Sequence, residues 1–172
     1  MIVTFLIAKY ERAKFEDLFN NTVEDNILQV LPSFTIDDVY SGEKITDQTF
    51  RAKKDRLLVV HFWGTWCAPC KVEFPELSKF THKLSQRNVD FLFIAVNDEL
   101  KKVKKELKSL SKFSQNSVHG FDENGKTLDL FGTVKVPETY IFDQNGRSLR
   151  KLIGPQDWEN PFFVRLLTSY LE

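Results

Sequence analysis

The chain has 172 residues, 42% hydrophobic and 13% aromatic, with sixteen phenylalanines; this is enough for one domain with a substantial core and argues against disorder. Twenty-four basic residues cancel twenty-four acidic ones, so there is no global field to gather nucleic acid or a cationic partner. Two cysteines are too few for a disulfide-stapled scaffold, and the three histidines lack the spacing to complete a four-ligand zinc site with them.

Met1 to Ala8 is apolar but stops at Lys9. That is short of the ~20 residues a membrane-spanning helix needs, and a signal peptide would open on a basic segment. Two readings stand: a buried N-terminal strand, or the tail of an anchor or signal that begins upstream. Phe15, Leu18, Phe19 and Val23 recur at helical spacing, which predicts an amphipathic helix or tether over residues 1–29, ahead of a domain over 30–172. Leu31 to Ile36 alternates, turns near Ser41-Gly42-Glu43 and resumes at Lys44-Ile45-Thr46, the pattern of a β-hairpin. Gln48 to Arg56 reads as a polar connection.

Leu57 to Phe62 is apolar except for His61, as in a central strand covered on both faces. A helix is predicted from Cys67 to about Ser85, with Leu77, Phe80 and Leu84 as its core stripe and Pro75 bending it, because proline has no N–H for the helix ladder. Val89 to Val96 reads as a second buried strand. A helix follows through about Lys112, capped by Asn97-Asp98-Glu99; its many lysines read as a solvated face. Val118 to Phe121 is a predicted strand and Thr127 to Phe131 a short helix with Gly132 past its end. Glu138 to Phe142 and Ser148 to Ile153 form a hairpin through Asn145-Gly146, and Pro161 to Leu171 closes the chain as a helix. Strands that alternate with helices and then form a hairpin imply a mixed sheet with helices on both faces.

The chemistry is concentrated in Trp66-Cys67-Ala68-Pro69-Cys70, which holds both cysteines where a buried strand hands over to a helix. A C-x-x-C pair in that context reads as redox-active. Haem attachment would require His after the second cysteine, and Lys71 stands there. Cys67 at a helix N-terminus meets unpaired N–H groups and the positive end of the dipole, which favour its thiolate. Cys70, one turn in, should be more buried and more protonated. Cys67 then attacks a substrate disulfide and Cys70 resolves the mixed disulfide. Trp66 is read as a wall of the site, against the alternative of an ordinary partly buried aromatic. Glu73, three residues after Cys70, either lies beneath the pair and exchanges a proton with Cys70 or faces solvent. His61 is either a hydrogen-bonded core histidine or a catalytic base.

Phe62-Trp63-Gly64-Thr65-Trp66-Cys67-Ala68-Pro69-Cys70 resembles the thioredoxin-fold motif. Phe131 to Gly146, with Val136-Pro137-Glu138-Thr139 inside it, is similar to the second signature of the TlpA-like, membrane-tethered thioredoxins. The Pro-Glu-Thr triplet resembles most the branch that reduces apocytochrome c for haem attachment (the CcmG/DsbE and ResA type). The resemblance covers roughly Leu31 to the C-terminus. It implies a thioredoxin-like three-layer α/β/α sandwich with a mixed central sheet, an N-terminal β-hairpin extension and an inserted strand–helix unit.

It further implies that Pro137 is cis and lies against Cys67 and Cys70, and that Val136 offers its backbone to an extended substrate strand. Glu73 matches the acidic position after the second cysteine, Pro75 the helix-bending proline, and Glu138 the acidic residue after the cis-proline. Ordinary thioredoxin has a buried aspartate where this chain has His61, so the proton role moves to Glu73. The expected site is therefore Cys67, Cys70 and Glu73 as catalytic residues, with Trp66, Val136, Pro137 and Glu138 toward substrate. The redox centre is the cysteine pair itself, with no bound cofactor and no metal. The expected setting is extracytoplasmic, with an N-terminal segment as the expected membrane tether, for a monomer that takes electrons from a membrane thiol reductase and passes them to disulfide-containing proteins, with no role for nucleic acid. The other readings are a general cytosolic thioredoxin, a peroxidase of the peroxiredoxin type and a non-enzymatic binding module.

Overall fold

Two strands without a single exposed residue carry the molecule: β3 (Leu57–Trp63) and β4 (Val89–Val96), paired in parallel along their length. The computed structural model describes residues 28–110 and 112–172. The predicted N-terminal strand or anchor remnant and all but the last two residues of the predicted tether lie outside the described residues. Around the central pair stand β1 (Thr35–Asp38), β2 (Lys44–Thr46), β5 (Ser117–Asp122), β6 (Glu138–Phe142) and β7 (Ser148–Ile153). The seven strands form one sheet in the order β2-β1-β5-β4-β3-β6-β7. Strands β3, β4 and β5 run parallel; β6, β7 and the β1–β2 hairpin pair antiparallel to their neighbours.

Side chains alternate across a strand, so a doubly covered strand serves two cores. On one face Leu57, Val59 and Trp63 of β3 with Phe91, Phe93 and Ala95 of β4 meet three helices: α2 (Ala68–Lys83), α3 (Leu100–Ser109) and α5 (Pro161–Ser169). On the other, Leu58, Val60 and Phe62 with Leu92, Ile94 and Val96 meet the hairpin, α1 (Gln48–Arg51) and α4 (Lys126–Phe131). Each large apolar side chain buried this way contributes about 1.5–3 kcal/mol. The fold is the thioredoxin-like three-layer sandwich that the resemblance implied, with the β1–β2 hairpin at one edge and the β5–α4 unit inserted beside it.

Several boundaries differ from the sequence reading. The stretch after Thr46 is not simply a connection: Phe50 is buried there, and Asp47 holds Arg51 one turn on at 2.9 Å, which stabilises α1. Helix α3 ends at Ser109, not near Lys112, because α2 captures the chain beyond it. Ser78 Oγ and His82 Nε2 both bond the Lys112 carbonyl, at 3.2 and 2.7 Å, and Ser114 N–H donates to Thr81 Oγ1 at 3.0 Å. Helix α5 ends at Ser169, two residues before the predicted Leu171. Leu77 and Phe80 in α2 and Leu84 at its C-cap are fully buried as predicted, and Pro75 sits exposed within the helix.

The entering chain is held at the end of the sheet far from the cysteines. Leu31 N–H donates to the Gly146 carbonyl at 2.7 Å, and Ser148 N–H donates to the Gln29 carbonyl at 2.9 Å. These contacts lie on the β6–β7 turn, beyond Phe142, which pairs with Leu58 at the start of β3.

Candidate active site

Strand β3 ends at Trp63, and after four intervening residues α2 begins. Cys67 is its N-cap, with extended backbone, so its Sγ turns back over the first helical turn and accepts the Cys70 N–H at 3.3 Å. This is the usual service of an N-cap side chain, here performed by sulfur. The cap satisfies one orphan donor of the helix and places the helix N-terminus against the atom that must carry negative charge. In the structure Cys67 and Cys70 are joined as a disulfide, with Cα atoms 5.3 Å apart. Cys67 keeps 4% exposure and Cys70 none, the order that attack and resolution require.

Opposite the sulfurs stands the loop before β6. The Val136–Pro137 bond is cis, and the Val136 carbonyl oxygen lies 3.7 Å from Cys67 Sγ. Val136 is partly exposed and Pro137 is buried. Trp66 is 56% exposed, and its Nε1 donates to the Val96 carbonyl at 3.1 Å, so the indole is laid across the end of β4 beside the disulfide. The loop beneath it is tied down by Asp98, whose carboxylate accepts Thr65 N–H at 2.6 Å and Thr65 Oγ1–H at 3.0 Å. Two exposed valines complete this rim in sequence terms: Val72, two residues after Cys70, and Val134, two before Val136.

Glu73 is buried at 3% exposure, which excludes the solvent-facing alternative. Its Oε2 accepts two hydrogen bonds, from Gln156 N–H at 2.9 Å and Trp158 Nε1–H at 3.0 Å. Burial pushes its carboxyl up to about 7; those two hydrogen bonds oppose the shift and the charge of Glu76 adds to it. A carboxyl near neutrality one helical turn from Cys70 is suited to proton exchange with it. His61 lies in the same buried layer, its Nδ1 2.9 Å from Thr139 Oγ1 on the paired strand and its Nε2 3.5 Å from Glu73 Oε1. Burial pulls His61 down to about 3. Glu73 is charged only above about 7 and His61 only below about 3, so the two are never charged together and the contact is not an ion pair.

Glu138 departs from its expected place toward substrate. It is fully buried, with Oε2 accepting Tyr140 Oη–H at 3.1 Å and facing Lys151 Nζ at 3.3 Å. Alternation along β6 explains this: Glu138, Tyr140 and Phe142 share the face toward α4, while Thr139 and Ile141 face α2. Glu138 braces the start of β6 from inside. Residues absent from the sequence reading of the site are Gln156, Trp158 and Asp98. Their partners lie 83, 85 and 33 positions away, separations at which only the assembled topology brings them together.

The AhpC/TSA family profile matches residues 27–148. The chain belongs to the AhpC/TSA family. Among curated proteins it is similar to thiol-disulfide oxidoreductase ResA of Bacillus cereus, 23% identical over 84% of this chain and 80% of that one. It is also 30% identical to thiol:disulfide interchange protein HelX of Rhodobacter capsulatus, over 72% of this chain and 66% of that one. A solved thiol:disulfide interchange protein of the thioredoxin family from Chlorobium tepidum superposes with a TM-score of 0.64 at 24% identity, covering 87% of this chain and all of its own. Within the AhpC/TSA family the chain falls in the TlpA-like branch, and with its Cys67–Cys70 disulfide it is a thioredoxin-like thiol–disulfide oxidoreductase.

Proposed function

We propose that the protein works as a reductase of disulfides in exported proteins, apocytochrome c among them, on the extracytoplasmic side of a membrane. The observation that carries this reading is the Cys67–Cys70 pair itself, N-capping α2 with the Val136 carbonyl 3.7 Å from Cys67 Sγ. A substrate chain extended along Val136 would pair with its backbone as an added strand and bring its own disulfide onto Cys67. The Cys67 thiolate attacks one substrate sulfur, forming a mixed disulfide and releasing the other as a thiolate. Cys70 then gives up its proton to Glu73 and attacks Cys67 Sγ, which restores the Cys67–Cys70 disulfide and frees the second substrate thiolate. Two electrons pass to the substrate in each turnover. The redox couple is the cysteine pair, so no further cofactor takes part.

The restored disulfide must be reduced again, and a membrane thiol reductase is the proposed donor to a monomeric protein. No helix among the described residues is long and apolar enough to cross a membrane. A tether ahead of Leu28 would join the domain at the β6–β7 turn, at the opposite end of the sheet from Cys67, and leave the disulfide facing away from its anchor. The names of ResA and HelX support the thiol–disulfide part of the reading.

The deciding experiment compares insulin reduction by the wild type and by Cys67→Ser, with the equilibrium potential of the couple measured against glutathione. The expected result is complete loss of turnover in the variant and a strongly reducing potential in the wild type. Equal activity in both proteins ends the enzymatic reading, and a potential near the oxidising end reverses its direction.

A further inference from the structure

Two buried polar atoms in the layer beneath the disulfide face each other and have no other hydrogen-bond partner: His61 Nε2 and Glu73 Oε1, 3.5 Å apart. Orphaned buried polar atoms are costly, about 1–3 kcal/mol each. The arrangement around them assigns the protons. Glu73 Oε2 already accepts two N–H groups, from Gln156 and Trp158, so a proton on this carboxyl belongs on Oε1, the oxygen that faces His61. The other ring nitrogen, Nδ1, faces a hydroxyl, Thr139 Oγ1, and a hydroxyl both donates and accepts.

We propose that His61 is a positioning residue for Glu73: a neutral ring that changes tautomer with the protonation state of the carboxyl, so that Oε1 keeps a hydrogen-bond partner in both states. With Glu73 protonated, Oε1–H donates to Nε2 and Nδ1–H donates to Thr139. With Glu73 ionised, Nε2–H donates to Oε1 and Nδ1 accepts from the Thr139 hydroxyl. The ring carries one proton throughout and never becomes imidazolium. In the resolving step the Cys70 S–H bond breaks and a Glu73 O–H bond forms. The change of tautomer is an exchange with solvent protons, one leaving Nε2 and one reaching Nδ1, so the proton count of the ring is unchanged and the only net transfer is from Cys70 to Glu73. The inference rests on the oxidoreductase reading for its purpose, though not for its test.

The groups that act on the pair come from the elements around it: Glu76 on α2, where Cys70 stands one turn before Glu73, Thr139 on β6, and Gln156 and Trp158 between β7 and α5. The rings of Phe74, Phe93 and Trp158 close the rest, with centroids 5.9, 5.9 and 6.5 Å from the imidazole. No cation is among these groups, which agrees with the downward shift of His61 and the upward shift of Glu73.

The test is ring-nitrogen NMR of His61 in the oxidised, 15N-histidine-labelled protein across the neutral pH range, beside the infrared carboxyl band of Glu73. Nδ1 should be the protonated nitrogen at the acid end and Nε2 at the alkaline end, with a midpoint equal to that of the carboxyl band. In Glu73→Gln the side-chain amide donates to Nε2 at every pH, and the switch should be lost. In His61→Leu the carboxyl midpoint should move upward, because the carboxylate loses its N–H donor. One tautomer at all pH values in the wild type, or an imidazolium signal, overturns the proposal. Because the oxidised protein is measured, these outcomes are independent of turnover: loss of the switch beside normal insulin reduction refutes the role of His61 alone.

Discussion

At the scale of single residues, Gly64 and Trp66 show how the surface next to the sulfurs is built. A large aromatic at 56% exposure is free to move unless something holds it, and here one hydrogen bond, to the Val96 carbonyl at 3.1 Å, fixes its edge. The indole reaches that carbonyl because residue 64 has no side chain: a Cβ there would lie 2.5 Å from Trp66 Nε1 and 2.7 Å from Cε2. Gly64→Ala therefore pushes the ring off β4. A net hydrogen bond is worth about 1 kcal/mol, so kcat/KM for a protein disulfide should fall roughly five- to tenfold. Reaction with a small soluble disulfide, which does not need the wall, should keep its rate. Unchanged insulin kinetics in Gly64→Ala would remove Trp66 from the substrate site.

At the scale of elements, exposed apolar side chains gather on the segments that carry the chemistry. Val72 on the first turns of α2 is 77% exposed, and Val134 before Val136 is 89% exposed. An apolar side chain left in water on either side of a reactive pair favours an unfolded, apolar substrate. Val72→Asp and Val134→Asp should each leave thermal stability within about 0.5 kcal/mol of wild type, as exposed changes do. Each should raise KM for unfolded, disulfide-containing protein substrates about tenfold, with little change for a small disulfide. Equal KM values for the two substrate classes in both variants would place the contact surface elsewhere. The elements themselves were legible in the sequence wherever one strong local signal dominated: the apolar runs of β3 and β4, the Asn145-Gly146 turn, and the cysteines at the strand–helix junction. The end of α3 was not, because Ser78 and His82 of a different helix decide it through the Lys112 carbonyl. Nor was the orientation of Glu138, because a strand buried on both faces offers no polar alternation to show which way each side chain points. His61 had two open readings for the same reason; its contact with Glu73 appears only when α2 is laid on the face of β3 that Val59 and Trp63 share.

For the whole molecule, the buried layer that serves the cysteines also sets how stability varies with pH. Glu73 titrates near 7 in the fold against an ordinary value of 4.5, so the native state holds its proton more tightly than the unfolded chain does. Its contribution is most favourable below about 4.5, declines as pH rises through the interval to about 7, and is constant above that. His61 and His119 act the other way. Burial pulls them to about 3 and about 4 from 6.5, so they favour unfolding as pH falls below 6.5 toward those values. Between about 4.5 and 6.5 one carboxyl opposes two histidines, so the wild-type stability should still rise with pH there, at about half the slope the two histidines alone would give. Glu73→Gln removes only the carboxyl. A shift of that size corresponds to at most ~3 kcal/mol. Urea unfolding of the oxidised proteins should therefore show the variant close to wild type at about pH 4 and more stable by up to ~3 kcal/mol at about pH 8. Its profile between about 4.5 and 6.5 should rise about twice as steeply as that of the wild type, because only the histidines remain to shape it. Parallel profiles for the two proteins would mean that Glu73 titrates alike in the native and unfolded states, and a carboxylate of ordinary acidity is too weak a base to hold the proton of Cys70 near neutrality.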